Sequence, residues 1–298
     1  MHDPLSAPDD LAIGIIADLL HAQTGQSIGA DRRWRIGPAL APLLRARGLT
    51  GLDALIVELT RSDDDTLARE IVEALLNNET YFFRDLQVFD YLAQSLLPQL
   101  ADELATKRSL RIWCAGCSTG QEPLSIAMLL DEQAARWADW DVSILATDIS
   151  HKAIATARAG IYSSFQVQRG LGVQQMLRHF DETQAGWQVH RSLAGKVRFQ
   201  THNVLDAMPG ERPFDLVVCR NVLLYFDQPA RRRAYERLGE AMADHGRLIL
   251  GGGELILGSD SPFVPCETRH GIFRPARSVA SPAREGKFGL YEIERMRG

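Results

Sequence analysis

From Leu110 onward the chain alternates strand-like apolar runs with helix-like segments, and this alternation constrains the fold more than any other feature. Leu110–Ala115 reads as a strand entering a glycine loop, and Pro123–Leu130 as the helix after it. Val142–Asp148 reads as a second strand, followed by a helix over Lys152–Arg158. Val197–Asn203, Phe214–Arg220 and Gly246–Gly251 read as further strands, and Phe263–Arg274 can supply the last. Asp227 or Gln228 can cap a helix from Pro229 to Met242, with Pro229 in its first turn, where a missing N–H costs nothing. Alternation of this kind predicts a parallel sheet wound with helices on both faces. Gly186–Phe199 is less regular and suits a small antiparallel insertion.

The first eighty residues carry a different period. Leu11, Ile15 and Leu19 recur at helical spacing, as do Leu52, Leu55, Ile56 and Leu59, then Leu67, Ile71 and Leu75. Between the first two groups lies an arginine-rich segment: Arg32, Arg33, Arg35, Arg45 and Arg47. Gly48 and Gly51 mark a helix stop and a new start. Asn77–Thr80 is a polar break, after which Phe89, Leu92, Ala93, Leu96, Leu97 and Leu100 share one helical face. Beyond Arg274 the composition turns to Ser, Ala, Arg, Gly and Lys, which suits a disordered tail over 276–298.

Composition excludes some function classes. With 33 Lys+Arg against 38 Asp+Glu the formal charge is −5, which does not favour a general nucleic-acid binder. No stretch approaches the ~18 uninterrupted apolar residues of a membrane-spanning helix, and Leu11–Leu20 is short and broken by Asp18. A soluble, cytoplasmic protein without membrane insertion is therefore expected. Four cysteines do not make a disulfide framework in a chain of 298 residues.

The strongest local signal is Trp113-Cys-Ala-Gly-Cys-Ser-Thr-Gly-Gln-Glu-Pro123. In an open parallel sheet the ligand lies beyond the carboxyl ends of the strands. Gly116 and Gly120 let the backbone approach it closely. Ser118 with Gln121, and Thr119 with Glu122, have capping-box spacing. Glu122 can meet a cationic ligand group and would repel a pyrophosphate. Asp148, ending the second strand, stands where an acidic side chain accepts hydrogen bonds from ribose hydroxyls. The third glycine of G-x-G-x-x-G is missing, which counts against a nicotinamide oxidoreductase. A ligand with a ribose and an ammonium but no phosphate fits better, and S-adenosylmethionine has that composition. Cys114 and Cys117 form a C-x-x-C, but no second pair or histidine set completes a zinc site, so no metal is expected.

Four ordered blocks resemble the chemotaxis receptor methyltransferase (CheR-type) family: Asn78-Glu-Thr-Tyr-Phe-Phe-Arg84, Trp113–Pro123, Ala146-Thr-Asp148-Ile and Phe214-Asp-Leu-Val-Val-Cys-Arg-Asn221-Val-Leu-Leu-Tyr-Phe226. The likeness runs from about residue 10 to about residue 275. It implies a Rossmann-like class I S-adenosylmethionine-dependent methyltransferase, α/β, with a small all-helical N-terminal domain and a small β-subdomain insertion. The division implied is 1–80 for the helical, receptor-docking domain with its linker and 81–275 for the methyltransferase domain, the β-subdomain lying at about 183–200.

The resemblance further implies transfer of methyl from S-adenosyl-L-methionine to glutamate carboxylates of chemotaxis receptors, leaving S-adenosyl-L-homocysteine. Asn78, Thr80, Arg84, Glu122, Asp148, Asn203, Val204, Arg220 and Asn221 match the family's cofactor contacts, and Arg84 and Tyr225 match positions beside the transferred methyl group. The basic segment Arg32, Arg33, Arg35, Arg45 and Arg47 matches the part that docks on acidic receptor helices. Three departures stand out. Glu182 occupies a position where some members carry an arginine linked to catalysis, and Arg169, in Val167-Gln-Arg-Gly-Leu171, is the candidate to replace it. The stretch Phe180–Val189 is shorter than in members that bind a receptor's C-terminal pentapeptide, so pentapeptide independence is expected. Gly252-Gly253-Glu254 also replaces a more polar stretch. The competing readings are a catalytically weak cofactor-sensing adaptor and a methyltransferase for another carboxylate.

Overall fold

The computed structural model describes residues 6–61, 65–254, 261–266 and 271–278. Helices α1 (Ser6–Thr24), α2 (Ile36–Arg47), α3 (Leu52–Arg61) and α4 (Thr66–Leu75), with a 3-10 turn at Ala30–Arg35, pack around Ile16, Ile36, Leu40, Leu55, Leu67 and Ile71. Gly48 ends α2 in the left-handed conformation, and Leu49 N–H returns to Leu44 C=O at 2.9 Å, a closed helix terminus. On α1 the expected stripe is shifted. Leu11 is 72% exposed and Ile15 37%, whereas Ala12, Ile16 and Leu20 are buried. The segment is apolar at many positions, so two stripes one residue apart compete. The small Ala12 and Ala17 let α3 and α4 approach closely, which selects the second.

A coil then leads into α5 (Leu86–Tyr91), a π-helical turn (Leu92–Leu96) and α6 (Leu97–Glu103). The remaining elements are β1 (Ser109–Ala115), α7 (Gln121–Glu132), α8 (Ala134–Trp137), β2 (Asp141–Asp148), α9 (His151–Ala159), β3 (Ile161–Tyr162), α10 (Ser164–Gln168), α11 (Val173–His179), β4 (Phe180–Thr183), β5 (Gly186–Val189), α12 (Arg191–Ala194), β6 (Val197–Thr201), β7 (Phe214–Cys219), α13 (Gln228–Glu240), β8 (Met242–Leu250), β9 (Phe263–Pro265) and β10 (Ile272–Pro275). The large sheet runs β6-β2-β1-β7-β8-β10-β9. Its first five strands are parallel, and the last two form an antiparallel edge. The segment expected to supply one final strand thus supplies two.

Strand side chains alternate between two cores, as a pleated sheet requires. Ile112 and Cys114 of β1 face the core shared with α7, while Trp113 and Ala115 face the core shared with α13. Asp227 caps α13, its Oδ1 accepting from Ala230 N–H at 2.8 Å. The small antiparallel sheet has the order β3-β5-β4. It therefore starts at Ile161 and ends at Val189, earlier than the expected 183–200, because Val197–Thr201 pairs with β2 in the large sheet. Of the expected 276–298 tail, residues 279–298 lie outside the described residues, and Ala276–Ser278 forms a 3-10 turn.

Candidate functional site

The carboxyl ends of β1, β2, β6 and β7 face a cleft enclosing about 870 Å³, open mouth included. This is the position where open parallel sheets bind ligands. The loop after β1 is stitched to β2: Gly116 and Cys117 N–H both donate to Thr147 C=O, at 2.7 and 2.9 Å. Gly116 has φ +78, and a Cβ there would stand 2.2 Å from Val222 Cγ2, so only glycine lets this loop pass beneath the loop after β7. The expected capping boxes do not form. Gly120, with φ +96, is the N-cap of α7, Ser118 Oγ donates to Asn78 C=O at 2.7 Å, and Thr119 Oγ1 donates to Gln121 Oε1. The left-handed Ser118 (φ 50) and Gly120 turn the chain too sharply for either side chain to reach the helix N–H groups.

Asp148 is buried at the end of β2, its two oxygens accepting from Ser118 N–H at 2.7 Å and Ser150 N–H at 2.9 Å. Burial raises its pKa above the ordinary carboxylate range, and these hydrogen bonds oppose the rise. With Ile149 N–H as a further donor, the carboxylate still keeps acceptor capacity. Glu122 and the buried Arg220 form an ion pair at 2.8 Å, and Arg220 also reaches Asp85 at 2.5 Å and Arg84 C=O at 3.0 Å. Burial raises Glu122, with Arg220 pulling the other way. Glu122 thus lines the cleft with its charge already partly engaged, and Arg220 Nε is buried with no hydrogen-bond partner among the described residues.

Asn78, Thr80 and Arg84 come from the coil between α4 and α5. Phe83 (φ 52) and Asp85 (φ 62) are both left-handed, and Phe83 N–H donates to Ser125 Oγ of α7 at 3.0 Å, which fixes Arg84 at the rim. Phe82 and Tyr162 pack edge to face with centroids 5.3 Å apart, tying this coil to the small sheet. After β6, Asn203 spends both ends of its amide within the protein: its Nδ2 donates to Gln23 C=O and its Oδ1 accepts from Leu205 N–H. After β7, Asn221 is left-handed at φ 61, and the Tyr225 hydroxyl accepts from Asn77 Nδ2 at 2.7 Å. Tyr225 C=O accepts from Ser27 N–H, so the loop after β7 is clipped to the segment after α1.

All ten residues expected at the site line this one cleft: Asn78, Thr80, Arg84, Glu122, Asp148, Asn203, Val204, Arg220, Asn221 and Tyr225. Glu182 is elsewhere, exposed on β4. Sequence reasoning missed Thr24, Gln26, Asn77 and His202, which also line it. It also missed the role of Glu254. That buried carboxylate accepts from the N–H groups of Gly251, Asn221, Val222, Leu223 and Leu224, shaping the loop that carries Asn221 and Tyr225. A glutamate after three glycines at a strand end was the available signal.

Three carboxylates (Glu79, Glu122, Asp148) and two guanidiniums (Arg84, Arg220) line the cleft, with no lysine among its described lining. That donor set suits a ligand bearing hydroxyls and positive charge, and it does not suit a pyrophosphate. Burial pushes the Cys114, Cys117 and Cys219 thiols well above their ordinary value. Among the described residues no group of three or more His, Cys, Asp or Glu side chains converges as a metal set.

A second groove of about 560 Å³ shares Gln26, Leu76, Asn77 and Tyr225 with the cleft and is lined further out by Arg32 and Arg35. The expected basic segment is thereby divided. Arg33, Arg35 and Arg45 are exposed, but Arg47 is engaged internally, 2.5 Å from Glu58 and 2.8 Å from Glu70. Helices α3 and α4 bring those two carboxylates to it, which charge counting along the sequence does not register.

Residues 78–272 match the family model described as CheR methyltransferase, SAM binding domain. Over 262 residues the chain is 30% identical to chemotaxis protein methyltransferase Cher2 of Pseudomonas putida, covering 87% of this chain and 95% of that one. It is 33% identical over 262 residues to chemotaxis protein methyltransferase 1 of Pseudomonas aeruginosa, with the same two coverages of 87% and 95%. To the chemotaxis protein methyltransferase of Vibrio parahaemolyticus it is 32% identical over 256 residues, covering 85% and 92%.

Proposed function

The chain belongs to the CheR methyltransferase family, and from that premise we propose that it methylates glutamate side chains of chemotaxis receptors. Its methyl donor is S-adenosylmethionine. The observation that carries the proposal is the adjacency of the two depressions: the cleft with the expected donor contacts shares the wall formed by Gln26, Leu76, Asn77 and Tyr225 with a groove bearing Arg32 and Arg35.

When bound, the donor supplies an electrophilic methyl group on a positively charged sulfur. Asp148 would hold its ribose hydroxyls through the remaining lone pairs, with Asn203 and Val204 beside the base. Glu122, Arg220 and Asn78 would hold the amino-acid end, and Thr80 and Asn221 the neighbouring walls. On the acceptor side the chemical demand is modest. A glutamate carboxylate with pKa ~4.3 is ionised at neutral pH, so no general base is needed. The protein's contribution is orientation, which can be worth roughly 7–11 kcal/mol. Arg84 and Tyr225 orient the incoming carboxylate, the tyrosine hydroxyl being held in place by Asn77.

In this reading residues 1–80 form the docking unit and 81–275 the transferring unit. Arg32, Arg33, Arg35 and Arg45 meet acidic helices of a receptor's cytoplasmic portion, which places the protein in the cytoplasm. The compact antiparallel sheet, two to four residues per strand, supports docking that needs no receptor C-terminal pentapeptide. Retention of such a peptide by immobilised protein would refute that part. The proposal as a whole is tested by mass spectrometry of receptor-enriched membranes incubated with protein and donor. Methyl esters on receptor glutamates are the expected result; unmodified receptors with a donor-binding protein would favour an adaptor.

A further inference from the structure

At the rim of the cleft the chain presents one of its own glutamates to two arginines. Arg169, at the end of α10, pairs with the Glu79 carboxylate at 2.8 Å, and its guanidinium stacks on the Tyr81 ring, 4.2 Å from the centroid. Arg84 lies over the same ring at 5.7 Å and donates to Glu79 C=O at 3.0 Å. Glu79 and Arg84 both line the cleft. The arrangement is anchored rather than loose. Gly170, with φ +102, lies so close to the coil that a Cβ there would stand 1.8 Å from Phe82 C=O. Arg169 holds the Glu79 carboxyl below its ordinary range, with Arg84 adding to the effect.

We propose that Arg169 is the guanidinium that receives the acceptor carboxylate beside Arg84, and that the Glu79 carboxylate occupies Arg169 until the acceptor displaces it. The inference rests on the receptor-glutamate reading above. Its physical basis is that one carboxylate replaces another of the same chemistry, so the net charge at Arg169 is unchanged and its guanidinium keeps a counter-charge. The stacked, planar fork of Arg169 suits carboxylate recognition in a way a lysine would not. Glu79 is 58% exposed at its side chain, so displacing it into solvent costs little. Arg169 thereby takes a place in acceptor binding that Glu182, exposed on β4, does not fill.

The test compares wild type with Arg169→Gln, Arg169→Lys and Glu79→Gln. Three quantities are measured: calorimetric affinity for S-adenosylhomocysteine, cosedimentation with receptor-enriched membranes in its presence, and steady-state transfer to those membranes. Arg169→Gln is expected to leave the product affinity within about twofold, reduce cosedimentation, and raise the receptor KM at least about tenfold with kcat within about threefold. Glu79→Gln should shift cosedimentation and KM the opposite way, and Arg169→Lys should recover part of the loss. The proposal is overturned if Arg169→Gln weakens product binding as much as it raises KM, or if the Gln variants at 79 and 169 move KM in the same direction. A wild-type protein that binds the product yet modifies no receptor would sink the receptor reading instead, and the opposite shifts in cosedimentation would still decide the role of Arg169.

Discussion

Replacing Glu254 by glutamine keeps the side chain's shape and removes half of its hydrogen-bonding logic. Oε1 accepts from Val222, Leu223 and Leu224 N–H at 2.8, 2.7 and 3.3 Å; Oε2 accepts from Gly251 and Asn221 N–H at 2.8 and 2.9 Å. An amide can satisfy only one of these sets, and its NH2 then meets the other donor to donor. With the oxygen turned to the larger set, two N–H groups lose their acceptor in a site where Glu254 is only 4% exposed. At about 1–3 kcal/mol for each unsatisfied buried donor, less what the loop recovers by relaxing, the expected loss is about 2–4 kcal/mol. For a chain of this size that lowers the unfolding midpoint by roughly 3–6 °C. The assay is scanning calorimetry beside Glu236→Gln, an exposed glutamate on α13 expected to change stability by no more than about 0.5 kcal/mol. Turnover should fall with the midpoint, because the same loop carries Asn221 and Tyr225. A Glu254→Gln protein melting within about 2 °C of wild type would refute the reasoning, since the N–H groups must then find other partners.

Four further outcomes follow from the same geometry. Asp148→Ala should raise the donor dissociation constant at least tenfold, about 1.4 kcal/mol, in titration calorimetry. Because burial raises the Asp148 and Glu122 pKa values, protonation on acidification begins above the ordinary carboxylate range. Donor affinity should therefore fall as pH drops toward that range, and Asp148→Asn should flatten its own share of the fall. Tyr225→Phe should lower turnover more than donor affinity, and equal losses in both would mark the hydroxyl as merely structural. Gly116→Ala should cost about 2–4 kcal/mol in denaturant titration, from left-handed strain together with overlap against Val222.

The strands and the cleft were legible because their signals are local. β7 is six consecutive buried residues, and the glycines of the β1 loop stand where a close crossing needs them. What escaped detection depends on tertiary partners. The buried stripe of α1 was decided by alanines that permit close packing rather than by its leucines. Ser118 and Thr119 have the spacing of capping residues, but their backbone turns left-handed and their hydroxyls find other acceptors. β3 is two residues long and exists only because β5 pairs with it. Glu73 of α4 shows the same limit: its carboxylate accepts from His151 N–H at 2.5 Å and Ser150 Oγ at 2.6 Å, holding the start of α9. Nothing within the sequence around residue 73 announces a partner more than seventy residues away.

The most direct test of the account is transfer itself, read as chemistry specific to a carboxylate acceptor. Protein, methyl-labelled S-adenosylmethionine and receptor-enriched membranes are incubated, and the label released as methanol by mild alkali is counted. The account predicts alkali-released label that requires both protein and receptor and falls sharply with Tyr225→Phe. Label that stays alkali-stable, or none transferred by a protein that demonstrably binds the donor, would contradict it.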